Sequence, residues 1–190
     1  MIVRLRPLDE ADLAVFERAY ATRDGSGEHQ WFGFGPPGRG LAEMGALGPD
    51  GGRLTVTADD RVAGSAFWFR RTWGPVETSW CWEVALHVLA EQRRHGLGPQ
   101  ALNQLTGYLF DHTLAWRVQA IADAGNTASQ RMLARCGFTR GACCAPRSGG
   151  RGAGTTRCST RCCATTRCLR PARRQRPPRA APPILRRRSR

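Results

Sequence analysis

The chain has 190 residues, which suits one domain plus extra sequence and is enough to bury a core. Its formal net charge of +14 suggests a nucleic-acid binder, but residues 1–138 hold 14 arginines against 15 acids, while residues 139–190 hold 15 arginines and no acid. The basic character therefore belongs to the tail and says nothing about the body. No apolar run is long enough to span a membrane, and the start has no signal-peptide pattern, so a cytoplasmic, reducing location is the default expectation. All 29 basic residues are arginine, which points to GC-rich coding rather than to function.

Taken in chain order, Ile2 to Leu5 alternates apolar and basic residues and reads as a short strand ended by Pro7. Asp9 starts a helical pattern with Leu13, Phe16 and Tyr20 on one face. Residues 22–53 are rich in Gly and Pro and read as a loop, with a short helix near Leu41 to Leu47. Arg53 to Ala58 and Val62 to Arg71 form a hairpin about Asp59-Asp60. Ser79 to Leu89 is a strongly apolar strand, Gly98 to Phe110 a helix, Arg117 to Asp123 a strand, and Asn126 to Cys136 a helix ended by Gly137. Phe138 begins what should be a final strand. The order predicts a mixed α/β (α+β) domain over residues 1–140, with the strand–helix–strand unit parallel. Beyond Arg140 apolar periodicity stops, and residues 141–190 read as a disordered tail.

Arg93-Arg94-His95-Gly96-Leu97-Gly98 lies between a predicted strand and a predicted helix. Two glycines allow a tight turn and close backbone approach, and the loop amides then sit beside the positive end of a helix dipole. That arrangement binds a pyrophosphate. Arg93 and Arg94 could add charge-assisted contacts. A glycine-rich turn with solvated arginines is the plainer alternative.

Arg-x-x-Gly-x-Gly after an apolar strand resembles the acetyl-CoA-binding motif of the GNAT superfamily of N-acetyltransferases. Asn126-Thr127-Ala128-Ser129 and then Arg135-Cys136-Gly137-Phe138 resemble the Asn-x-x-Ser-x5-Lys-x-Gly-Phe pattern of the branch that includes the ribosomal-protein alanine acetyltransferases. Leu5-Arg6-Pro7-Leu8 and Trp31-Phe32-Gly33-Phe34 are similar to that branch too, and the resemblance spans residues 2 to 140. Arg135 stands in place of the usual lysine.

The resemblance implies a central mixed sheet flanked by helices, acetyl-CoA as cosubstrate, and a primary amine as acceptor, on a protein N-terminus or a small molecule. It implies no metal, and a monomer or homodimer. The amides of Arg94, His95, Gly96, Leu97 and Gly98 would cradle the pyrophosphate. The edge of the strand carrying Val84, Leu86 and Val88 would pair with the pantetheine arm. Asn126 would bond that arm near the thioester, or else only cap its helix. Ser129, one turn on, would protonate or orient the leaving thiolate, or else be an exposed helix residue. In many relatives a tyrosine one turn further does this; here that position is Leu133, so Ser129 or a water must serve. Glu83 is the candidate general base, with a solvent-facing acid as its alternative; His87 and His95 are weaker candidates. Pro99 removes one amide that could face phosphate. Trp31, Phe32, Phe34, Trp68 and Trp73 are pocket or core, with core favoured for Trp68.

Three readings of the tail compete. It is a basic arm for nucleic acid or a membrane surface; or Cys158, Cys162, Cys163 and Cys168 hold zinc, which their spacing and the lack of a nearby histidine argue against; or it is translated out of frame. In the branch, Gly-Phe is followed by a sequence like Gly-Val-Leu-Arg and later His-Asp-x-Val-x-Tyr-Ser-Leu-Leu. Ala142-Cys143-Cys144-Ala145 can be encoded by GCG TGC TGC GCx, and starting one base earlier, with a G from the preceding codon, the same bases read Gly-Val-Leu-Arg. With the same shift, Thr155 to Thr166 can read His-Asp-Ala-Val-Leu-Tyr-Ser-Leu-Leu-Arg-Asp-Asp. The preferred reading is therefore a frame slip near Arg140, which removes the final strands and damages the acceptor half. The alternatives in function are a non-catalytic CoA-binding remnant and a basic-tailed nucleic-acid binder.

Overall fold

A computed structural model describes residues 1–31, 47–143 and 162–168, with side chains described through residue 140. Seven strands form a single sheet in the order β1-β2-β3-β4-β5-β7-β6. They are β1 (Val3–Pro7), β2 (Gly51–Ala58), β3 (Arg61–Thr72), β4 (Trp80–Val88), β5 (Arg117–Asp123), β6 (Thr139–Cys143) and β7 (Cys162–Cys168). The helices are α1 (Glu10–Tyr20), α2 (Arg23–Ser26), α3 (Leu97–His112) and α4 (Thr127–Arg135). Only β4 and β5 run parallel among the paired strands, and α3 connects them, as the strand–helix–strand reading predicts.

Alternation along the strands sorts the two faces. Leu54, Val56, Ala66, Trp68, Trp82 and Val84 turn toward α3, which buries Leu97, Ala101, Leu102, Leu105 and Leu109 on its apolar stripe. Each of these leucines and valines contributes roughly 1.5–3 kcal/mol on burial. Trp68 is core, at 5% exposure. The other face carries α1, whose Phe16 packs with Leu89 and Val62. Asp9 caps α1 in a reciprocal capping box with Asp12. Asp12 is also gripped by Arg6 at 2.7 Å through both oxygens and by the Thr55 hydroxyl at 2.7 Å. Burial pushes its carboxyl up, but the Arg6 and Thr55 hydrogen bonds outweigh this and hold it below the usual aspartate value. That knot fixes α1 against β1 and β2.

The β2–β3 hairpin turns on Asp59 and Asp60, both at positive φ, as a two-residue turn demands. The helix after the glycine loop starts at Leu97 rather than Gly98, so Pro99 is its third residue. Its missing N–H still costs no helical bond, because the first four amides of a helix have no partner within it.

The expectation that the final strands are lost is corrected. Strand β7 pairs antiparallel with the whole of β5, from Arg117↔Cys168 to Asp123↔Cys162, and β6 adds outside it. A ladder is made by backbone groups, and Cys162–Cys168 contains two β-branched threonines and no glycine or proline to oppose extension. The short helix near 41–47, Phe32, Phe34, and the disorder expected for 144–161 and 169–190 lie outside the described residues.

Candidate active site

Strands β4 and β5 pair only at Trp82↔Val118 and Glu83↔Gln119. Beyond that vertex, β3 keeps hold of β4 as far as Val88, and β7 keeps hold of β5 as far as Asp123. The two strands part, and a cleft opens between them with about 540 Å³ of empty space, open to solvent. Val84 and Leu86 line one arm, Ala120 and Ala122 the other, and Ser129 and Leu133 of α4 close the α3 side. Past Glu83 the edge of β4 no longer pairs with β5, so it offers backbone donors and acceptors to an extended, amide-bearing ligand.

The cleft leads to the glycine loop. Arg94 (φ +69°) and Gly96 (φ +78°) both take the left-handed conformation, and Gly96 is the N-cap of α3 with no side chain satisfying the helix amides. Arg94, His95 and Gly96 are exposed, while the Leu97 side chain is buried and anchors the helix start. This is an unoccupied-amide turn at the positive end of a 16-residue helix, the geometry that holds phosphate. The two glycines do different work. A Cβ on Gly96 would meet nothing within 4 Å, so backbone conformation alone favours glycine there. A Cβ on Gly98 would lie 2.7 Å from the Met132 sulfur, so Gly98 serves the packing of α3 against α4.

Residues 3–139 match the sequence profile of the acetyltransferase (GNAT) domain. The chain belongs to the GNAT acetyltransferase family. No curated protein sequence is a significant match. Among solved structures, the fold is similar to YncA of Salmonella typhimurium, determined with its cofactor acetyl-CoA (TM-score 0.65, 18% identity, 89% of this chain and 95% of that one). It is similar to spermidine N-acetyltransferase of Vibrio cholerae in complex with CoA and spermine (TM-score 0.63, 14% identity, 86% and 92%). It is also similar to the aminoglycoside acetyltransferase AAC(6')-Ib in complex with coenzyme A (TM-score 0.64, 16% identity, 88% and 95%).

Within this GNAT domain, the side chains named from the sequence fall in different places. Glu83 sits at the vertex, on the face turned away from α3, and is buried at 6% exposure. Arg71 grips both its oxygens at 2.9 and 3.4 Å, and the Gln119 amide donates to Oε2 at 2.9 Å. It is a paired carboxylate, not a solvent-facing acid. Asn126 caps α4, its Oδ1 accepting from the Ser129 amide at 2.9 Å, and it also lines the cleft with Ser129. Its two readings are therefore compatible, because the cap uses Oδ1 and leaves Nδ2 to donate.

The Arg93 guanidinium turns away from the loop. It donates to the carbonyls of Val88 (3.1 Å), Asp24 (2.9 Å) and Gly25 (2.5 Å), tying the α2 segment to the end of β4. It fixes the scaffold, while Arg94 stays exposed beside the turn. His87 is buried at 4% exposure, with Nε2 bonded to the Gly25 carbonyl at 2.9 Å. Burial, only partly offset by that carbonyl, lowers its pKa to about 4, so the ring is neutral at pH 7 and Nε2 is the donor. Next to it, the Tyr20 hydroxyl bonds Ser65 at 2.9 Å, and burial raises its pKa. Arg53 lies over the Phe67 ring at 5.0 Å with Nε and Nη1 buried and unbonded, and burial lowers its pKa. Trp73 is half exposed beneath the Arg117 guanidinium at 4.1 Å, outside the cleft.

Sequence reasoning missed Arg71, Gln119 and His29. The first two meet Glu83 only through strand register: Phe69↔Glu83 places Arg71 two residues along β3, and Gln119 lies directly opposite on β5. His29 lines the cleft from a Gly-rich stretch with no periodicity to reveal it. Among the described residues, no group of three or more His, Cys, Asp or Glu could hold a metal ion.

Proposed function

We propose that this chain is an N-acetyltransferase that moves the acetyl group of acetyl-CoA onto a primary amine by direct attack in a ternary complex. The observation that carries the reading is the parted β4–β5 edge running from Glu83 to an exposed, left-handed turn at the start of α3. The cofactor supplies an activated acyl group; the protein supplies placement. The amides of Arg94 to Gly98 take the pyrophosphate, with Arg94 and His95 adjacent. The Val84–Val88 edge takes the pantetheine arm, and its useful length ends at Val88, whose carbonyl already accepts from Arg93. Asn126 Nδ2 donates toward the thioester end. Ser129, on the same wall of the cleft, orients or protonates the leaving thiolate.

Glu83 carries negative charge to the vertex on the acceptor face. Its contacts with Arg71 and Gln119 hold it in place there, which suits attraction of a cationic amine. The acceptor is a small-molecule amine or a protein N-terminus; the spermidine and aminoglycoside enzymes among the structural neighbours support the former, and the Asn126 to Phe138 motif supports the ribosomal-protein alanine branch. A cytoplasmic enzyme, monomeric or homodimeric, fits this reading.

The same reading divides the chain into a domain over 1–140 and an out-of-frame tail over 141–190 that impairs the acceptor half. Its support is the double match of alternate-frame codons to the branch's ending. The nucleotide sequence around codon 140 tests it: an early stop in the other frame, or no such ending, overturns it. Thiol release from acetyl-CoA with a panel of amines tests the activity. Binding without turnover on any amine would favour a CoA-binding remnant.

A further inference from the structure

One histidine stands in the cleft itself. His29, just after α2, and Asp123, at the end of β5, reach toward each other with His29 Nδ1 and Asp123 Oδ1 at 3.9 Å. Both line the cleft, together with Ala85 of β4 and Asn126 of α4, and both are partly exposed, at 34% and 26% for their side chains. Asp123 is itself held, since the Gly125 amide donates to Oδ1 at 2.6 Å. The other two candidate histidines are placed elsewhere: His87 is buried against the Gly25 carbonyl, and His95 stands on the phosphate turn.

We infer that His29 is the general base that deprotonates the acceptor ammonium, with Asp123 as its positioning residue. This rests on the acetyltransferase reading above. Asp123 stands beside Nδ1, and in the tautomer protonated at Nδ1 the free Nε2 is the base. Nε2 takes one proton from the ammonium. The freed nitrogen lone pair forms the N–C bond at the thioester carbonyl, the C–S bond breaks, and the second proton shed by the new amide nitrogen passes through water or the Ser129 hydroxyl to the leaving thiolate. The imidazolium then returns its proton to solvent. Glu83 stays in its contacts with Arg71 and Gln119 throughout.

The charged groups around His29 come from several elements. Asp123 faces it from β5. Glu28, its chain neighbour, is 3.9 Å from Arg23. The Arg93 guanidinium lies behind Gly27, 3.5 Å from where its Cβ would be, and is engaged by three carbonyls. The α4 wall presents Asn126, Ser129, Met132 and Leu133, none of which titrates near neutrality. Among these groups, Asp123 is the carboxylate that faces the ring.

The test follows the His29 ring resonances by NMR in full-length protein, with and without acetyl-CoA, and kcat against pH for wild type, His29→Gln and Asp123→Asn. The expected results are a shift of the His29 signals on adding acetyl-CoA, a second shift in Asp123→Asn, and a loss in kcat of roughly a hundredfold or more in His29→Gln, which still binds acetyl-CoA. His29 signals indifferent to both acetyl-CoA and Asp123→Asn overturn the inference even if no acceptor has been found. So does a His29→Gln enzyme with wild-type kcat and pH profile. Failure to bind acetyl-CoA at all overturns the acetyltransferase reading, and this inference with it.

Discussion

At the scale of single residues, the site depends on where donors and acceptors are already spent. Gly96 holds φ +78° in open space, so Gly96→Ala should cost about 1–2 kcal/mol in urea unfolding, from backbone strain alone. Gly98→Ala requires only the flexible end of Met132 to move, and its cost should be smaller. The turn was legible from the Arg93 to Gly98 pattern, but the division of labour between its glycines was not, because Met132 arrives from an element 34 positions away in sequence. Arg93 was unreadable for the same reason: its acceptors Asp24 and Gly25 are contributed by α2. His87 makes a pH prediction. Its folded pKa lies near 4, below the ordinary 6.5, so the unfolded chain takes up the proton first. Stability is therefore full above about pH 6.5 and falls as the pH drops toward about 4, by about 3 kcal/mol. Denaturant midpoints between pH 7 and 4 should show that fall in wild type and a reduced one in His87→Gln.

At the scale of elements, helix α4 separates stability from binding. Asn126 caps it through Oδ1 and faces the cleft. Asn126→Ala should lower stability by about 1 kcal/mol, while Asn126→Ser should keep the cap and lose the amide donor. Thermal melts and acetyl-CoA titrations on the pair should show Asn126→Ser near wild type in stability and weakened in affinity; equal affinity would remove Asn126 from the cofactor site. Both helices around the cleft were legible, since Leu102, Leu105 and Leu109 mark one stripe and Asn126 and Gly137 bracket the other. The parting of β4 from β5 was not. Nothing within Ser79 to Leu89 says where pairing stops; β3 and β7, which pull the two strands apart, decide it.

At the scale of the whole molecule, two arms of one sheet must hold the cleft open between them. The β5 arm depends on β7, made from a segment with no apolar alternation. Composition hid this strand, because ladder bonds ask only for extended backbone. Replacing residues 141–190 with the alternate-frame ending should raise the melting temperature and turnover together; no gain in either would leave the frame reading without support. The glycine turn and α3 have the same sequence in either version, so acetyl-CoA should bind to both. The most direct measurement is therefore calorimetric titration of the full chain with acetyl-CoA. The account predicts one-to-one binding that weakens when Ser129→Trp fills the cleft between β4 and β5. No heat of binding, or binding indifferent to Ser129→Trp, would contradict it.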